Sequence, residues 1–131
     1  MKFFFDHNLS PYIARALHCL LVPSGHSAVA LADRFARDIS DEGWIHELAK
    51  EAGWVVFTSD YDIVRKAAIR SAFKSSGLVG FVLRSAWQDF APMDQAWRLM
   101  KRWPNIVAQC DLAAPGSTYE LGIQGGKIPT L

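Results

Sequence analysis

Two stretches of this chain run apolar without interruption and then break into carboxylates: Phe3-Phe4-Phe5-Asp6 and Val55-Val56-Phe57-Thr58-Ser59-Asp60-Tyr61-Asp62. A short run that is apolar throughout reads as a buried strand, and its polar end marks where the strand surfaces. In an open parallel sheet, ligands bind at that C-terminal edge. A third acidic stretch, Ser40-Asp41-Glu42, stands at a helix start. Two carboxylates about 4 Å apart repel by roughly 1 to 4 kcal/mol, depending on the effective dielectric. Gathering Asp6, Asp41, Asp60 and Asp62 at one edge therefore calls for a divalent cation, and with it metal-dependent phosphate chemistry.

The rest of the chain supplies what such a sheet needs. Lys2 to Phe5, His26 to Leu31, Trp54 to Phe57 and Leu78 to Leu83 read as strands. Between them lie helical patterns. Ser10 and Pro11 suit the cap and first position of a helix carrying Ile13, Ala16, Leu17 and Leu20 on one face. Arg34 to Asp38 reads as a polar connection. Ser40 caps a helix with Trp44, Ile45, Leu48, Ala49 and Ala52 inward, and Gly53 ends it. One helix is expected over Tyr61 to Phe73, with Val64, Ala67, Ala68 and Phe73 inward. A last one opens at Pro92 and runs to Pro104. Residues 113–131 read as a hairpin, Tyr119 to Ile123 with Lys127 to Leu131, or as a loose arm. Strand and helix alternate, which predicts a parallel sheet covered on both faces.

At 131 residues this reads as one domain, with a core over about residues 1–104. No apolar run approaches the ~20 residues a bilayer needs, and Asp6 breaks any signal-peptide core at the start. Cys19 and Cys110 lack CxxC spacing, so free buried thiols in a reducing cytoplasm are expected. Charge is uneven along the chain. Residues 1–62 hold nine acids against five Lys and Arg, residues 63–84 hold five Lys and Arg and no acid, and the remainder balances at four and four.

Each candidate has a plain alternative. Asp41 and Glu42 suit the first turn of any helix, Asp60 can cap the next one, and Asp62 can pair with Lys66 one turn on. Thr58 can hold a carboxylate or a metal-bound water. His7, His18, His26 and His46 lack zinc spacing, and carboxylate oxygens favour Mg²⁺ or Mn²⁺. Lys66, Arg70 and Lys74 recur every four residues, which reads either as a solvated face or as a phosphate-binding one leaving the acids. Arg84, at the end of the fourth strand, is a further phosphate candidate. The five tryptophans read as core or interface.

Four of these stretches, Asp6-His7-Asn8-Leu9-Ser10-Pro11, Gly25-His26, Ser40-Asp41-Glu42-Gly43-Trp44-Ile45 and Thr58-Ser59-Asp60-Tyr61-Asp62, carry a resemblance. From Lys2 to about Arg84 the chain resembles the small PIN-like proteins, which are similar to the toxin nucleases of bacterial toxin–antitoxin pairs. The resemblance implies a three-layer α/β/α fold with a mainly parallel sheet of four to five strands. It implies Mg²⁺- or Mn²⁺-dependent cleavage of RNA, with a protein antitoxin as partner and a homodimer as a further form to look for. Carried over, Asp6, Asp41, Asp60 and Asp62 would be the metal-binding acids, Glu42 the neighbour or substitute of Asp41, and Thr58 the hydroxyl beside them. Lys66, Arg70 and Arg84 would position the strand. Ile63 stands where the family usually has Phe. His7 stands where it often has another acid, which implies one ligand fewer.

Two other readings stand beside the ribonuclease. One is a catalytically weakened PIN-like scaffold that binds RNA or protein. The other is a receiver-like phospho-acceptor, for which the phosphate-holding Lys after the last strand is missing.

Overall fold

The computed structural model describes all 131 residues. Five strands, β1 (Lys2–Phe5), β2 (Ser27–Ala30), β3 (Trp54–Thr58), β4 (Val79–Leu83) and β5 (Thr118–Leu121), form one sheet in the order β2-β1-β3-β4-β5. Every pairing is parallel. The expected α/β/α class holds, and β5 is the fifth strand. This order places the topological switch between β1 and β3, where open sheets form a crevice at their C-terminal edge.

The helices are α1 (Pro11–Leu21), α2 (Leu31–Arg34), α3 (Asp41–Ala49), α4 (Asp62–Arg65), α5 (Ala67–Ser76) and α6 (Pro92–Leu112), with 3₁₀ turns at Val22–Ser24 and Ser85–Asp89. Because side chains alternate along a strand, β1 sends Phe3 and Phe5 to one face and Phe4 to the other. Phe3, Phe5, Val55, Phe57, Phe81 and Leu83 pack with Ile13 and Leu17 of α1 and Leu99 and Ile106 of α6. Phe4, Val56 and Val82 pack with Trp44, Ile45 and Leu48 of α3 and with Ile69 and Phe73 of α5. All five residues of β3 are buried, as a central strand requires. No helix is long and apolar enough to cross a membrane.

Several expectations shift. α1 buries Ile13, Ala14, Leu17 and Leu21, whereas Leu20 is 60% exposed. The second strand ends at Ala30, and Leu31–Arg34 form a short helix, so Arg34 belongs to a helix rather than to the expected connection. The single helix expected over Tyr61 to Phe73 is two, because Lys66 is extended, with φ −79° and ψ 120°. That break resets the helical phase, so Ile63, Ile69 and Phe73 point inward while Ala67 and Ala68 are exposed. α6 continues eight residues past Pro104. An interior proline costs about 3 kcal/mol, and the burial of Ile106, with Trp103 and Cys110 packed against the same core, offsets it.

Cys19 is exposed and Cys110 half-buried; both are free. Burial pushes the Cys110 thiol up to about 11. The tail is no loose arm. β5 joins β4, and residues 128–131 fold back on it through an antiparallel bridge from Tyr119 to Thr130. The turn into β5 depends on Gly116, whose φ is +81° and where a Cβ would stand 2.2 Å from the Lys74 carbonyl oxygen.

Candidate metal centre

The site is assembled where β1 and β3 end. The Asp6 amide donates to the Phe57 carbonyl at 2.9 Å, which carries the pairing one residue past β1 and turns the Asp6 side chain toward the sheet edge. Asp6 is 2% exposed and Thr58 fully buried. Thr58 Oγ1 donates to Asp6 Oδ2 at 2.9 Å and accepts from the Asp60 amide at 3.0 Å. Asp6 Oδ1 accepts from the His7 amide at 2.7 Å and lies 2.8 Å from His7 Nδ1. A buried carboxylate is costly unless its oxygens are hydrogen-bonded, and both oxygens of Asp6 are.

Asn8 completes this layer. Its Oδ1 accepts from the Ser59 amide at 3.0 Å and its Nδ2 reaches Thr58 Oγ1 at 3.4 Å, so it ties the loop after β1 to the loop after β3. In the sequence Asn8 stood within the stretch that carries the family resemblance, with no role of its own. The available signal was an amide side chain three residues beyond a strand end, able to donate and accept at once.

In front of this layer stand three acids. One carboxylate oxygen each from Asp41, Asp60 and Asp62 lies within 4.8 Å of the others, and all three residues are half-buried. Local structure sets each one. Ser40 caps α3 by accepting from the Gly43 amide at 3.0 Å, placing Asp41 in the first turn, and Trp44 Nε1 donates to Asp41 Oδ1 at 3.1 Å. Asp60 Oδ1 accepts from the Asp62 amide at 2.9 Å, which opens α4. Asp62 Oδ2 pairs with Lys66 Nζ at 2.9 Å, the one-turn pairing its spacing suggested. Each of the three carboxylates keeps a second oxygen that no protein donor occupies.

That donor set fits a hard divalent cation. It is all carboxylate oxygen with no His or Cys, as Mg²⁺ or Mn²⁺ prefer, and mutual repulsion of roughly 1 to 4 kcal/mol per pair favours a positive ion between the acids. The chain's own cation at the rim is Lys66. Asp62, and beyond it Asp60 and Asp41, hold its ammonium above the ordinary lysine range.

A family model described as PIN like domain matches residues 1–85, which span β1 through β4 and all the acids just described. The chain belongs to the PIN-like domain family. That family sits in a superfamily that includes nucleases, often metal-dependent ones. Curated proteins and solved structures give no match. The strand order alone also suits receiver-like sheets; the family match sets that reading aside.

The other candidates fall in different places. Of the four expected acids, the structure groups three within 4.8 Å, while Asp6 lies outside that group and connects to it through Thr58. Glu42 is exposed and outside the cluster. Lys66, Arg70 and Lys74 do not form one face leaving the acids. Lys66 lies in the break between α4 and α5, and the Lys74 backbone approaches Gly116, at the opposite, N-terminal end of β5. Arg84 stands on the acidic edge as expected, but its Nε donates to Glu120 Oε1 at 2.7 Å. Glu120 also accepts from Tyr61 Oη at 2.8 Å. Arg84 and then Tyr61 hold the Glu120 carboxyl below its ordinary range. Nothing in the tail's sequence singled out Glu120.

Proposed function

We propose that this protein is a Mg²⁺- or Mn²⁺-dependent ribonuclease of the cytoplasm, the toxin of a toxin–antitoxin pair whose partner is a protein antitoxin. The observation that carries the reading is the meeting of Asp41, Asp60 and Asp62 within 4.8 Å, in a PIN-like domain. These three would hold the ion through the oxygens left free of protein donors. When bound, it supplies Lewis acidity and a water of lowered pKa.

The chain's residues supply the rest. Asp6 is a positioning residue: it holds the Thr58 hydroxyl, which in turn holds the Asp60 amide. Asn8 keeps that loop from moving away from β1. Lys66 offers a positive charge at the rim, where a backbone phosphate would approach, and Arg70 and Arg84 add charge farther along. The reaction adds water across a phosphodiester: the water oxygen bonds to phosphorus, one P–O ester bond breaks, and the departing oxygen takes a proton.

The test is a panel of structured and single-stranded RNAs incubated with the purified chain in Mn²⁺ and in EDTA. Cleavage is expected only with metal. Intact RNA under every metal condition would overturn the reading. It would favour the weakened-scaffold alternative, which draws on the enclosure of Asp6 by His7 and its place outside the cluster.

A further inference from the structure

Past β5 the acidic edge turns basic, outside the segment that the family model covers. α6 carries Arg98, Lys101, Arg102 and Asn105 at i, i+3, i+4 and i+7, which is one helical face. That face walls a cleft of about 470 Å³, closed on its other side by residues 123–125. A neighbouring hollow of about 390 Å³ shares Arg102 and the same loop, and adds Arg84 and Lys127. No carboxylate forms an ion pair with Arg98, Lys101, Arg102 or Lys127.

Arg102 is the group that calls for an explanation. It is 5% exposed, and buried arginines are nearly always paired. Its guanidinium donates only to the backbone carbonyls of Gly122 and Gly126, and its Nε has no partner. Burial holds its pKa below the ordinary value. Arg98 is set in a similar way. Its guanidinium lies 4.1 Å from the Phe90 ring centroid and 4.8 Å from that of Trp97, and its Nε is also buried without a partner. Holding the loop accounts for the two carbonyl contacts of Arg102. It does not account for a second oriented guanidinium and a lysine beside it with no acid.

We propose that the α6 cleft binds a backbone phosphate of a single-stranded RNA whose path begins at Asp41, Asp60 and Asp62. The proposal rests on the ribonuclease reading above for the identity of the strand. Guanidinium groups present paired donors that match phosphate oxygens. Continuity with the acids runs through Tyr61, which sits between Asp60 and Asp62 and donates to Glu120. Glu120 in turn holds Arg84, and both line the hollow that Arg102 shares. Trp97, 45% exposed at the lip of the cleft, offers the flat surface on which unpaired bases stack.

The test uses the full chain carrying Asp60→Asn, in EDTA, so that nothing is cleaved. The ligand is a fluorescent single-stranded RNA of about 12 nucleotides, the order of length a small single-strand-binding domain covers, titrated across a range of KCl. Adding R98Q/K101Q should weaken binding and flatten the slope of log affinity against log salt by about 1.4, since each phosphate neutralised on a single strand contributes about 0.7. Arg102 stays, so the loop clamp stays, and an unchanged melting curve verifies it. The charge-keeping R98K/K101R should restore the slope. An unaltered slope in R98Q/K101Q overturns the proposal and leaves the cleft to an acidic protein segment. No RNA binding at all overturns it as well. A flattened slope here, together with intact RNA when the unaltered chain is incubated in Mn²⁺, overturns the ribonuclease reading instead and leaves the cleft standing.

Discussion

The two halves of the sheet's C-terminal edge are built on different logic. On the β1–β3 side, charge sits on strand ends and first helical turns, held by hydrogen bonds that span one to three residues or cross one pair of neighbouring strands. On the β5 side, charge sits along the face of a long helix, and its order comes from a loop 20 to 24 residues away, through Arg102 and the carbonyls of Gly122 and Gly126. The first half concentrates negative charge that needs a cation. The second concentrates positive charge that needs an anion. Tyr61, Glu120 and Arg84 form the hinge between them, with a carboxylate from the basic half accepting a phenol from the acidic half. On the proposed reading the two divide the labour: chemistry belongs to the half with short-range scaffolding, and grip to the half with long-range scaffolding.

Asp60→Asn should separate the halves most strongly. It keeps the shape of the residue and removes a charge from the cluster. Cleavage should fall on the order of 100-fold or more, a magnitude typical for loss of one electrostatic contact to a reacting group. RNA binding should hold or tighten, and thermal stability should hold or rise as repulsion drops. Turnover by the variant matching the unaltered chain would remove the acids from the chemistry.

The next largest effect is metal on stability. An ion that binds only the folded chain stabilises it by about 2.7 kcal/mol at 100 times its Kd, which for a chain of this size moves Tm by several degrees. Mn²⁺ should raise Tm in the unaltered chain and much less in Asp60→Asn. Equal shifts in both would place the ion elsewhere.

Lys66 and Lys74 make a sharper contrast, since they looked equivalent along the chain and lie toward opposite ends of the sheet. Lys66→Gln should flatten the salt slope for single-stranded RNA by about 0.7 and Lys74→Gln should leave it unchanged. Equal slopes for the two variants would mean that the strand does not follow the acidic edge.

The smallest effect tests the hinge. Arg84 holds the Glu120 carboxyl below its ordinary range. A depressed folded pKa contributes stability above the unfolded value, about 4.3, and that stability is lost as pH falls through the folded value. Arg84→Gln should therefore cost only a small part of the stability at neutral pH, as exposed ion pairs contribute little. Its deficit should shrink below pH ~4. Urea denaturation at both pH values reads this, and a deficit independent of pH would make the link purely one of packing.

Much of this was legible along the chain. Phe3-Phe4-Phe5 and Val55-Val56-Phe57 are buried strands, and the acids at their ends and at the start of α3 do reach one edge, because strand direction and helix caps are local properties that short sequences specify. Other features were not legible. The break at Lys66 carries no Gly or Pro to announce it. A strand over Tyr119 to Ile123 was legible as one arm of a hairpin, but its parallel pairing with β4 was not, because that depends on the free edge β4 offers. Pro104 would have ended an isolated helix, yet α6 continues because its second half packs on the core.

What the sequence determined by itself was the alternating α/β order, the parallel sheet and the carboxylates gathered at its edge, since period, caps and strand ends act over a few residues. Only the tertiary structure decided that Asp6 is tied to His7 and Thr58 rather than grouped with the other three acids, because that depends on how the ends of β1 and β3 meet. It alone set Lys74 at the far end of the sheet. It alone turned a segment with four acids and four bases into a basic cleft, since charges that cancel when counted along a chain are separated once a helix face and a loop are folded against each other.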